Sequence, residues 1–128
     1  ASAEELYKTC QFVSLHIPAT AETKQSINYS LLSLMPKGAL LINTARKEVI
    51  YEEDLARILE DRTDFHYVAD VAPTIADTLK EKFGNRIFFT PKKMGAQTSE
   101  ANINAGIAAA RQSVGYLKDS IDKFRVNK

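Results

Sequence analysis

One cysteine in 128 residues, Cys10, has no second thiol to meet, so no intrachain disulfide staples this chain. The two histidines, His16 and His66, match no zinc spacing with it, and neither has an acid at a triad-like distance. Both read as structural, and no metal is expected. No apolar run approaches the length of a bilayer span or a signal-peptide core, which fits a reducing cytoplasm and no membrane partner. An excess of either charge is missing too: 17 basic against 16 acidic residues leave a net charge of +1, with no basic stripe. Nucleic acid is therefore not an expected partner. The five glycines matter for where they are not, since none lies in the glycine-rich strand-to-helix turn that cradles a dinucleotide pyrophosphate.

What is present is an alternation of strand and helix patterns. A hydrophobic content of 45% supports one buried core, and the length rules out two full-size domains. Ser2 with Glu5 three residues on is a capping signal for a short first helix. Residues 12–17 read as a strand stopped by Pro18, followed by a polar loop holding Thr20, Glu22, Thr23 and Lys24. Ile27, Leu31, Leu32 and Met35 stand at helical spacing until Pro36-Lys37-Gly38 breaks the pattern. Leu40-Leu41-Ile42 has the character of a strand buried on both faces, and it emerges through the small residues Asn43-Thr44-Ala45 into Arg46.

The acids of residues 51–54 then load the first turn of a helix whose inner face is Leu55, Ile58 and Leu59. A third strand over 66–72 is interrupted near its end by Asp70, an acid that is costly there unless used, and Pro73 leads into helical turns through Leu79 and Phe83. Gly84-Asn85 marks a turn before a fourth strand over 87–90, closed by Pro91-Lys92-Lys93-Met94-Gly95. Last comes the longest element: Thr98 as N-cap, then Ile103, Ile107, Ala110, Val114, Leu117, Ile121 and Phe124 on one face, with a small-residue patch at Ala105, Gly106, Ala108 and Ala109. Such a stripe reads as core rather than partner groove, a core that polypeptide beyond this chain could supply.

Short connections between alternating strands and helices imply right-handed parallel βαβ units. The expected fold is therefore α/β: the second half of a doubly wound parallel, Rossmann-like sheet over 1–97, and a long C-terminal helix over 98–128. In such a sheet ligands bind beyond the carboxyl ends of the strands, where Arg46 can grip a carboxylate bidentately. From spacing alone, a loop cap or a surface ion pair is an equally open reading of Arg46.

The run Phe12-Val13-Ser14-Leu15-His16-Ile17-Pro18 with Thr20 and Thr23, and the run from Met35-Pro36-Lys37-Gly38 to Asn43-Thr44-Ala45-Arg46, resemble the D-2-hydroxyacid dehydrogenases, and within them the phosphoglycerate dehydrogenase branch. The resemblance covers essentially the whole chain. It implies NAD as cofactor, a small 2-hydroxy acid as substrate, with 3-phosphoglycerate and serine biosynthesis foremost, and a homodimer. It also implies that Arg46 meets the substrate carboxylate and carbonyl, that Asp70 meets the nicotinamide amide, and that Thr44-Ala45 line the nicotinamide site. His16-Ile17-Pro18 would pass near the adenosine, and Thr23 and Gly95 would belong to the same cofactor site.

Two departures from the family pattern accompany the likeness. The family sets a glutamate five residues after the Asp70 equivalent to orient a catalytic histidine; here that position is Ile75. The histidine itself would follow Pro91, where this chain has Lys92 and Lys93, in a motif one residue longer. A similar branch carries lysine there, and a lysine can move the hydroxyl proton if a neighbouring cation such as Arg46, or burial, lowers its pKa. Aligning from the left favours Lys92. A non-catalytic assembly or regulatory module, or a glycerate or lactate specificity, are the alternatives. Without the pyrophosphate turn the isolated chain is expected to bind NAD poorly, and with an uncovered strand edge and helical stripe it is expected to self-associate.

Overall fold

The computed structural model describes residues 2–91, 98–121 and 123. They fall in two compact units, one over Ala1–Lys93 and one over Met94–Lys128. The first unit is built from α1 (Ala3–Thr9), β1 (Phe12–Leu15), α2 (Tyr29–Leu32), β2 (Leu40–Asn43), α3 (Glu52–Asp61), β3 (His66–Ala69), α4 (Ala76–Phe83) and β4 (Ile87–Phe89). All three strand pairings are parallel, and the sheet order is β1-β2-β3-β4. Because the order advances one strand at a time, right-handed crossovers put α2, α3 and α4 on one face.

Burial follows that topology. Val13, Leu15, Leu41, Tyr67, Ala69 and Phe89 alternate onto the covered face and join Leu32, Leu55, Ile58, Leu59, Leu79 and Phe83 in one core. The opposite face holds Phe12, Leu40, Val68 and Phe88 around a shallow apolar depression, with Phe12 65% and Phe88 59% exposed. The central strand is therefore not buried on both faces as its composition predicts: Leu41 is fully buried, but Leu40 and Ile42 are partly exposed. Its apolar residues are suited to a second layer of polypeptide.

Other boundaries shift for local reasons. The helix expected over 27–35 shrinks to Tyr29–Leu32, because Ile27 is captured in a parallel bridge with Ile50 and Asn28 caps the helix start by accepting from the Leu31 N–H. The strands expected over 12–17, 66–72 and 87–90 each stop by Leu15, Ala69 and Phe89, where the shared register runs out.

The second unit contains α5 (Ser99–Asp119), whose N-cap is Thr98, its hydroxyl accepting from the Ala101 N–H. The helix closes at Ser120 in the left-handed region, φ 54°, so Ile121 falls beyond it, and Phe124 lies outside the described residues. No described residue of α5 is buried; Ile103, Ile107, Val114 and Leu117 are all exposed. Among the described residues the stripe is thus an exposed face rather than core.

Candidate functional site

Parallel strands deliver all their carboxyl ends to one edge of the sheet, so the residues following β1, β2, β3 and β4 become neighbours. Register sets the row: Leu15, Asn43 and Ala69 align, with Phe89 beside Ala69. One step further come His16, Thr44, Asp70 and Thr90.

His16 and Thr44 are joined across the first two strand ends. The imidazole Nδ1 lies 3.4 Å from the Thr44 hydroxyl and its Nε2 2.9 Å from the Ser14 hydroxyl. Ile17 is half-buried against the core, and Pro18 is exposed. The carbonyl of Pro18 accepts from the Thr23 hydroxyl at 2.5 Å, while Thr20 and Thr23 each accept from the other's backbone N–H. The Thr23 hydroxyl therefore braces the loop that carries Pro18. His66, at the opposite end of the sheet, contacts the Asp64 carbonyl through Nδ1 at 3.1 Å, in keeping with a structural role.

At the end of β2, Asn43 turns the chain. Its side-chain oxygen accepts from the Ala45 N–H at 3.0 Å, and its amide nitrogen donates to the Arg46 carbonyl at 3.1 Å. Arg46 follows in extended conformation, φ −118°, as the cap of a single 3-10 turn over Lys47–Val49. Its side chain is exposed, and its guanidinium makes no hydrogen bond or ion pair to any described residue. The loop-cap and surface-ion-pair readings of Arg46 thus find no partner among the described residues.

Asp70 stands just past β3. Its N–H donates to the Asn43 carbonyl at 3.0 Å, and the Thr90 hydroxyl reaches both its carbonyl (2.9 Å) and its carboxylate (3.0 Å). Thr90 is a site residue that the sequence pattern alone leaves as the end of a strand; its signal is that two adjacent strands both end in a polar residue at matching register. Lys92, Lys93 and Gly95 lie outside the described residues. Ile75, five residues after Asp70, packs half-buried on the core.

Chemically, this rim offers an unpaired guanidinium for a carboxylate, a threonine-held carboxylate that can accept from an amide, and two small residues, Thr44 and Ala45, on which a flat ring can lie. Among the described residues no group of three or more His, Cys, Asp or Glu side chains could hold a metal ion. The NAD-binding-domain model of the D-isomer specific 2-hydroxyacid dehydrogenases matches residues 1–91. The chain belongs to that family.

Relatives within the family agree. The D-3-phosphoglycerate dehydrogenase of Haemophilus influenzae is 34% identical over 98% of this chain, which spans 32% of that protein. Glyoxylate reductase of Thermococcus litoralis is 30% identical, again over 98% of this chain and 38% of its own length. Among solved structures, NAD+-bound 3-phosphoglycerate dehydrogenase of Entamoeba histolytica superposes with a TM-score of 0.86 at 49% identity, covering 99% of this chain and 42% of that one. The chain thus corresponds to about a third of the curated relatives' length.

The matching family domain is an NAD-binding one, so NAD is the cofactor to which this chain's residues belong. The residues at the rim fit the nicotinamide end of that molecule by the donors and acceptors just described. They do not supply the pyrophosphate turn: the described glycines precede a strand (Gly38), end a helix (Gly84), or lie within α5 (Gly106, Gly115).

Proposed function

We propose that this chain is the carboxyl-terminal part of an enzyme that oxidises 3-phosphoglycerate to its 2-oxo acid. Residues 1–97 would complete the cofactor domain, and residues 98–128 would form the helix leading back to a substrate domain. The observation that carries the reading is that the chain leaving β2 presents Arg46, whose guanidinium has no partner among the described residues, while the adjacent strand β3 leads directly into Asp70, anchored by Thr90. The identity to phosphoglycerate dehydrogenases supports the choice of substrate.

In this reading Arg46 grips the carboxylate of the 2-hydroxy acid bidentately and polarises the developing carbonyl. Asp70 accepts from the carboxamide and fixes which face of the ring is presented, while Thr44 and Ala45 form the floor beneath it. His16, Ile17 and Pro18 flank the adenosine, with Thr23 holding their loop; Gly95 belongs to the same site. NAD, when bound, supplies the acceptor for the hydride leaving C2. Lys92, or Lys93 if the longer motif aligns from its other end, takes the hydroxyl proton.

The exchange of histidine and glutamate for lysine and isoleucine is chemically coherent. A carboxylate beside an imidazole fixes its tautomer and steadies its charged form, but beside a lysine it would hold the ammonium protonated. An apolar residue such as Ile75 in the glutamate's place, and a cation such as Arg46 if it stands beside the lysine, would both favour the neutral amine that proton abstraction needs. That argument favours catalysis over a purely structural module. The single cysteine fits a small-molecule dehydrogenase working in a reducing compartment, and the family resemblance implies a homodimer.

Kinetics of the complete protein with NAD and a panel of 2-hydroxy acids test the proposal. Lys92→Ala should lower kcat by roughly 10²–10⁴-fold with little change in KM, and Lys93→Ala should do little. Arg46→Lys, losing the planar fork, should raise KM and lower kcat/KM by about 1–3 kcal/mol. If neither lysine matters, the proton transfer belongs to another group; if no 2-hydroxy acid is turned over, the assembly-module reading takes its place.

A further inference from the structure

The most buried polar side chain in the described unit is Asn43, only 1% exposed, and the activity just proposed gives it nothing to do directly. Its hydrogen bonds are directional. The Oδ1 atom accepts from Ala45 N–H at 3.0 Å, and the Nδ2 atom donates to the Arg46 carbonyl at 3.1 Å and lies 3.4 Å from the Tyr67 hydroxyl. Its own backbone carbonyl accepts from the Asp70 N–H at 3.0 Å. One residue thus ties the turn that carries Arg46 to the strand end that carries Asp70.

The geometry points to Asn43 as a positioning residue: its amide clamps the Thr44-Ala45-Arg46 turn at both ends, and Tyr67 holds the amide from the neighbouring strand. Few side chains can do this. The turn needs an acceptor at Ala45 and a donor at Arg46 on one short planar group; aspartate lacks the donor, and glutamine is one methylene too long. A leucine of similar volume would leave a backbone N–H and a backbone carbonyl unpaired. Tyr67 suits the part because burial pushes its phenol up to about 12, so it remains a neutral hydroxyl across the working pH range. The clamp is chemically separate from the Thr90 contact that anchors Asp70, so disturbing it should spoil the presentation of the guanidinium and loosen the Thr44-Ala45 floor while leaving that anchor in place.

This inference rests on Arg46 as the carboxylate-holding residue, so Arg46→Lys is assayed beside Asn43→Asp, Asn43→Ser and Tyr67→Phe in the complete protein. Asn43→Asp should lower kcat/KM for the hydroxy acid by about 10–100-fold at neutral pH, a larger factor than the one by which it weakens NAD affinity. The ratio of its rate to that of the wild type should rise as the pH falls, because a protonated carboxyl group can again donate to the Arg46 carbonyl while accepting from Ala45. Tyr67→Phe should show a smaller loss of the same kind. If Arg46→Lys is impaired and Asn43→Asp behaves as wild type, or loses activity by a factor that does not vary with pH, the positioning role is wrong and the reading of Arg46 stands. If Arg46→Lys turns over normally, the reading of Arg46 falls and the inference with it. Should the Asn43 variants fail to fold, amide exchange in the wild type decides: protection of the Ala45 N–H supports the clamp, and exchange at the rate of a free loop amide overturns it.

Discussion

Asp64 gives the most quantitative test of the fold. Its carboxylate accepts from the Gly38 N–H at 2.7 Å and from Arg62 Nη2 and Nε at 2.6 and 3.3 Å. Arg62, so oriented, donates to the carbonyls of Met35 and Pro36 at 2.7 and 2.9 Å. One carboxylate thereby orders the approach to β2 and the approach to β3 together. A hydrogen bond to a charged group contributes about 1.5–3 kcal/mol. The Asp64 side chain is 27% exposed and solvent screens it in part, so Asp64→Asn, which keeps the shape and discards the charge, should cost about 1–3 kcal/mol at neutral pH.

The pH dependence follows from direction. The Arg62 guanidinium, then the Gly38 N–H, hold the carboxyl well below the ordinary aspartate range in the folded protein. A group with a depressed folded pKa contributes its full stability above the unfolded value, about 4, and loses it as the pH falls further. Urea unfolding of wild type and Asp64→Asn from pH 7 to pH 2 should therefore show a constant gap down to about pH 4 that narrows steadily below it. A gap that does not change with pH, or no gap at pH 7, would refute the assignment.

Two further expectations concern single positions. Thr90→Val removes the hydroxyl that holds Asp70, and NAD titration of the complete protein should show affinity weakened by about 2–10-fold with little change in the KM for the hydroxy acid. Gly38 has φ +74°, and a Cβ there would meet Gln11 Nε2 at 2.8 Å; the side chain can swing away but the backbone cannot, so Gly38→Ala should cost about 1–2 kcal/mol in denaturant unfolding.

Elements with a single strong cue were legible in the sequence. The acid-loaded start of α3 with Leu55, Ile58 and Leu59 inside, and the Thr98 cap of α5, are local statements, and local chemistry decided them. The helix over 27–35 was overstated because Ile27 answers to Ile50, more than twenty residues away, and no periodicity window contains that bridge. The rim was half legible. Arg46 and Asp70 stand out because a charge at the end of an apolar run is conspicuous. Asn43 and Thr90 do not, since their part depends on which strand lies beside which, and a small polar residue at a strand end looks the same whether it clamps a turn or faces water.

The sequential strand order bears on how this half of the domain can form. Phe12 finds Leu40, Leu40 finds His66 and Tyr67 finds Ile87, so each pairing closes a loop of similar length and none must wait for a distant segment. Closure entropy grows only slowly with loop length, and pairings between chain neighbours are reached sooner than those between chain ends. Each new strand, with the helix before it, can therefore add to an edge already built. A protein emerging residue by residue during synthesis could assemble this sheet in the order in which it is made.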